Sequence, residues 1–123
     1  MSESAPSRSI TFLLLGDPVG KQRARYSGRS RRFYTPAKTR RYEVHISYAF
    51  IGVNRGRFSV FQPARHVHVH YVFRNGTHPD CDNVLKSVLD GLQGRAYQND
   101  KSVTGSTEMS FDPQQPRIEV TVT

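Results

Sequence analysis

Long apolar runs are missing from this sequence. The longest near its start, Ile10 to Leu15, is interrupted by Thr11 and falls far short of the ~20 residues that a membrane-spanning helix needs. No basic segment precedes it and no cleavage site follows it, so it does not read as a secretory leader. A basic amphipathic helix with a bulky apolar face is also missing, and no membrane partner is expected. Cys81 is the one cysteine, which excludes an internal disulfide and fits a reducing, cytoplasmic setting. Acids are scarce as well: ten Asp and Glu stand against eighteen Lys and Arg, for a net charge of +8. Not one acid falls between Lys21 and Arg41, a span holding nine of the basic residues. A polyanion is the natural partner for such a chain. Hydrophobic content is 36%, below the ~45–50% of typical globular domains. Seven Phe and six Tyr can still build a modest core, part of which a second chain could complete.

At 123 residues the chain predicts one domain. Met1 to Ser9 is polar and reads as a frayed end. Ile10 to Leu15 reads as a strand closed by Gly16-Asp17-Pro18. Residues 20–35 read as a basic loop, with Gly28 and nearby serines suggesting flexibility. Thr35-Pro36 predicts a helix start, Thr as cap and Pro at the first helical position. That helix is expected to reach about Ile51, with Tyr42, Ile46, Ala49 and Phe50 on one face, and Gly52, Asn54 and Gly56 are expected to stop it. Arg65 to Phe73 alternates: His66, His68 and His70 face one way, Val67, Val69, Tyr71 and Phe73 the other. Cys81 to Gln93 predicts a helix with Cys81, Val84, Leu85, Val88, Leu89 and Leu92 on its apolar arc. Asp82, Lys86, Asp90 and Gln93 share the opposite arc, with Asn83 at the border. Lys101 to Met109 and Arg117 to Val122 complete the expected order β-α-β-α-β-β. This is an α+β fold, a small mixed sheet packed by two helices.

Four aspartates, Asp80, Asp82, Asp90 and Asp100, fall between His78 and Asp100 in this otherwise basic chain. One aspartate beside a helix start is explained by capping. Two there, with Asp100 before the next strand, suggest oxygen ligands for a hard divalent cation. Such ions serve phosphodiester cleavage by neutralising the phosphate and activating water. Lys86 lies four residues from both Asp82 and Asp90. That spacing serves equally for exposed ion pairs and for a point charge on a phosphate transition state.

The run Pro79-Asp80-x-Asp82-Asn83-x-x-Lys86-x-x-x-Asp90-Gly91-Leu92, followed by Asp100 and Val103, resembles the signature of the RusA family of Holliday junction resolvases. Gly20-Lys21-Gln22-Arg23-x-Arg25 and Tyr34-Thr35-Pro36 resemble further segments common in that family. The resemblance implies a Mg²⁺-dependent, homodimeric endonuclease that nicks four-way DNA junctions. It implies that Asp80, Asp82 and Asp100 hold one or two Mg²⁺ ions per active site and that Lys86 is the catalytic lysine. Asn99 departs from the pattern, standing where many members have the first Asp of a pair. Asp90 and Asn83 are expected to support the site from behind, Asp90 by orienting Lys86.

The acid-free run, with Tyr26, Phe33 and Tyr34 interleaved, is expected to contact branched DNA through Lys21, Arg23, Arg25, Arg29, Arg31, Arg32 and Lys38. The three histidines of the alternating strand are a poor zinc set, because one distant cysteine is weak support. They are expected on a DNA-facing or helix-facing side. Cys81, on an apolar arc beside aspartates, reads as a core thiol rather than a nucleophile. A restriction-type nuclease motif is excluded, since no (D/E)-x-K follows Pro79-Asp80. A non-catalytic DNA-binding or architectural protein is the alternative. It accounts for the charge and leaves the ordered acids unexplained.

Overall fold

The alternation from His66 to Phe73 sets the architecture. Val67, Val69 and Tyr71 are completely buried on one face of this strand, while the three histidines alternate on the other. In the computed structural model, residues 9–21, 25–29, 32–34 and 36–123 are described. The elements are β1 (Ile10–Leu15), β2 (Arg25–Ser27), β3 (Arg32–Tyr34), α1 (Ala37–Asn54), β4 (His66–Phe73), α2 (Cys81–Leu92), a 3₁₀ turn (Asp100–Ser102), β5 (Thr104–Phe111) and β6 (Arg117–Val122). β1, β6, β4 and β5 form one sheet in that order. The β4–β5 pair is parallel and the others antiparallel, so the sheet is mixed, as the sequence predicts. α2 is the crossover between the two parallel strands.

Both helices cover the same sheet face. Tyr42, Ile46 and Phe50 of α1 and Val84, Val88 and Leu92 of α2 are buried against Phe12, Val69, Ile118 and Val120. Each such side chain contributes about 1.5–3 kcal/mol through burial. The helices approach closely at Gly91, where an added Cβ would lie 2.9 Å from the Glu43 carbonyl oxygen and 2.9 Å from Ile46 Cγ2.

Several boundaries differ from the sequence expectation. Residues read as a flexible basic loop contain the short β2–β3 hairpin, paired Arg25 to Tyr34 and Ser27 to Arg32. Pro36 itself is the cap of α1, with no side-chain bond to the backbone, and Thr35 lies outside the described residues. Gly52 does not end α1, which runs on to Asn54; Arg55 and Gly56 then take positive φ of 47° and 77°. The Asn54 side chain fastens this end by bonding both the N–H and the carbonyl of Phe58. β5 starts at Thr104 rather than Lys101, because the Asn99 side chain accepts from the Lys101 N–H and winds the chain into the 3₁₀ turn. Cys81 is only partly buried. The histidines face away from the helices, so the helix-facing alternative is incorrect. His66 bonds Thr104 and Ser106, His68 bonds Ser106 and Glu108, and His70 bonds Ser110 and Glu119.

Candidate active site

Asp80 and Asp82 are presented by the start of α2. Asp80 is the cap residue in extended conformation, and its Oδ1 accepts from the Asp82 N–H at 3.4 Å. Both carboxylates are solvent-exposed, as is Lys86 one turn on. The loop before them is braced from behind. The buried Tyr71 hydroxyl donates to the Pro79 carbonyl at 3.3 Å, and His78 Nδ1 donates to the same oxygen at 2.9 Å. Burial, then the neighbouring Cys81 and Asp80, push the Tyr71 phenol above its ordinary pKa, so it remains a donor.

The chain leading out of β1 is strapped across this helix start. The Lys21 N–H donates to the Asn83 carbonyl at 2.8 Å. Gly20 lies so close that an added Cβ would be 3.0 Å from Pro79 Cβ and 3.1 Å from Asn83 Cβ. Arg74 ties the same segment to the end of β4 through Asp17 at 2.9 Å. Gly20 and Lys21 are thereby held against the residues that flank the two aspartates.

Lys21 itself does not act as a free cation. Its Nζ lies 2.7 Å from Asp90 and 2.9 Å from Glu43. Burial lowers its pKa, but the bonds and charges of Asp90 and Glu43 outweigh that and raise it. Lys21, expected among the DNA contacts, is matched by two carboxylates, and Asp90, expected to orient Lys86, pairs with Lys21. Among the described residues Lys86 has no ion-pair partner, so the exposed i,i+4 pairs that its spacing allows are not made.

Asp100 opens the 3₁₀ turn that follows α2, with its charge acting on Tyr97. The Tyr97 hydroxyl donates to the Leu89 carbonyl, and burial, then the charges of Asp100 and Asp90, raise its pKa strongly. Asn99, the departure from the expected acid pair, caps this turn. Among the described residues no three His, Cys, Asp or Glu side chains are grouped to hold one metal ion. Within one chain, then, Asp80 and Asp82 stand together and Asp100 stands apart. Their chemistry still suits a hard cation, since Mg²⁺ commonly takes one or two carboxylates plus water and phosphate oxygens.

Of the expected DNA contacts, Arg29 and Lys38 are exposed. Arg25 and Arg32 occupy the strands of the hairpin, while Arg23 and Arg31 lie outside the described residues. Sequence reasoning missed Glu43, Tyr71, Tyr97 and the Phe73–His78 pair. Their only sequence signal is their residue type, because their partners come from separate elements.

Comparison with known families gives one match: the model described as Endodeoxyribonuclease RusA covers residues 16–123. None of the curated proteins matches.

Proposed function

The chain belongs to the RusA endodeoxyribonuclease family, and on that premise we propose that it resolves four-way DNA junctions as a Mg²⁺-dependent homodimer. The observation that carries this reading is the exposed Asp80–Asp82 pair at the start of α2, with the unpaired Lys86 one turn away, on a chain of net charge +8. An architectural DNA-binding protein would have no use for carboxylates that repel its ligand.

Asp80 and Asp82 would hold the cation, which when bound neutralises the scissile phosphate and activates water for attack. Lys86 supplies a compact positive charge where the phosphate gains negative charge, an interaction that acts on the transition state more than on the ground state. The strap at Gly20–Lys21 and the Tyr71–Pro79 bond hold the helix start in place, so that these groups need little reorganisation during reaction. Asp100 stands away from this pair within one chain. In the homodimer we assign it to the site of the partner copy, so that each site draws Asp80, Asp82 and Lys86 from one protomer and Asp100 from the other. A C₂ pair of sites also matches the approximate two-fold symmetry of a four-way junction and permits opposed nicks.

Asp80→Asn, Asp82→Asn and Asp100→Asn test the reading. Each is expected to abolish cleavage while keeping junction binding equal or tighter, because phosphate repulsion falls. Normal cleavage by a folded variant would remove that residue from the site.

A further inference from the structure

We propose that the groove between residues 17–21 and the loop after β4 is a subsite for one unstacked nucleotide adjoining the cut. Its base would lie against the His78 ring and its phosphate would face Lys38 and Arg74. The proposal rests on the nuclease reading and names the part of the substrate that this groove takes.

The groove has a volume of about 470 Å³, within the ~300–1,000 Å³ range of ligand-binding pockets. Phe73 and His78 both line it and are stacked on each other, with centroids 4.1 Å apart and planes 25° apart. The bond from His78 Nδ1 to the Pro79 carbonyl pins that ring. Phe73 is backed by Tyr71 at 6.2 Å and Phe111 at 5.7 Å. A pre-stacked, pinned aromatic pair presents a π-face with little side-chain freedom left to lose, and any base can stack on it.

Charge points the same way. Lys38 lines the groove, is exposed and has no carboxylate partner among the described residues. Arg74 pairs with Asp17, but their side chains are 56% and 53% exposed, so the pair is weak and the guanidinium can turn to a phosphate. Lys21 also lines the groove, with its charge already matched by Glu43 and Asp90.

Position supplies the third argument. Pro79 and Asn83 line the groove and flank Asp80 and Asp82 in the chain. A nucleotide bound here therefore neighbours the phosphate that those carboxylates address. Among the described residues the Asn83 side-chain amide has no hydrogen-bond partner, which leaves a donor and an acceptor for a base edge. Unstacking a base costs least where pairing is already broken. The subsite would thus favour a branch point over continuous duplex.

The test is an abasic scan. Junctions carrying a single abasic nucleotide at successive positions around the mapped cut are titrated with the protein in the absence of Mg²⁺. Wild type is expected to lose about 10-fold in affinity at one position and little elsewhere. His78→Ala, checked for folding by thermal unfolding, is expected to lose a similar factor on the intact junction and nothing further on that abasic junction. His78→Phe keeps the stacking face and should restore intact-junction affinity. Lys38→Ala, a change at an exposed helical position, should lower the salt slope by about 0.9 and leave the abasic penalty in place. A flat scan by a wild type that binds and cuts overturns the subsite and leaves the nuclease reading standing. So do independent, additive losses from the abasic site and His78→Ala. A wild type that neither binds nor cuts junctions overturns both.

Discussion

Replacing Lys21 with methionine should destabilise the fold rather than weaken DNA binding. The ammonium bridges Glu43 of α1 and Asp90 of α2 at 2.9 and 2.7 Å, with the Lys21 side chain 28% exposed. Fully exposed ion pairs contribute about 0–1 kcal/mol. Shielded hydrogen bonds to charged groups contribute about 1.5–3 kcal/mol each. These two bonds fall between the limits, and removing the cation leaves two carboxylates facing each other where the helices meet. The expected loss is about 1–3 kcal/mol. At ~3–6 °C per kcal/mol for a chain of this size, the melting temperature should fall by about 3–18 °C. Urea unfolding checks this as a lower midpoint with an unchanged m-value, and adding Glu43→Gln should recover part of the loss. The pH dependence follows from the raised pKa of Lys21. Its folded value exceeds its unfolded one, so the stabilisation is complete below the ordinary value of 10.5 and is lost as pH rises through the folded value. Wild-type and Lys21→Met stabilities should therefore stay parallel from about pH 6 to 9 and converge only in alkali. A Lys21→Met protein as stable as wild type, with a DNA-binding salt slope reduced by about 0.9, would refute this and return Lys21 to the phosphate contacts.

Three further outcomes are expected. Lys86→Ala should slow single-turnover junction cleavage about 10²–10³-fold with stability changed by well under about 1 kcal/mol, and Lys86→Arg should rescue only partly, because its planar fork replaces a compact ammonium. Mixing inactive Asp82→Asn and Asp100→Asn proteins should restore nicking, because one site of each mixed dimer would be intact; continued inactivity of proven mixed dimers would place all three acids in one chain's site. Gly91→Ala should cost about 1–3 kcal/mol by overpacking the α1–α2 contact, measured by chemical unfolding, since backbone and a branched side chain block the added methyl.

What the sequence made legible is what periodicity controls. The two-residue alternation of β4 and the helical arc of α2 follow from burial on one face, and both stand as expected. Asp82 and Lys86 share an exposed arc for the same reason. What the sequence did not make legible depends on partners far along the chain. Nothing near Lys21 announces Glu43 and Asp90, which two helices bring to it. The histidine ladder required the β4–β5 and β4–β6 registers before its serine, threonine and glutamate partners were known. α1 runs past Gly52, since helix packing outweighs one glycine's cost of about 1 kcal/mol, and stops at Asn54, the second of the expected stops. The sequence also leaves open which chain's site Asp100 serves: α2 lies between it and Asp80, and Asp100 opens the 3₁₀ turn before β5.

The most direct measurement is cleavage of a synthetic four-way junction, with strand ends labelled and cuts mapped, in the presence and absence of Mg²⁺. The account predicts symmetrically paired nicks on opposed strands with Mg²⁺, none without it, and none on linear duplex of the same sequence. A folded, junction-binding wild-type protein that leaves all four strands intact in Mg²⁺ would contradict it.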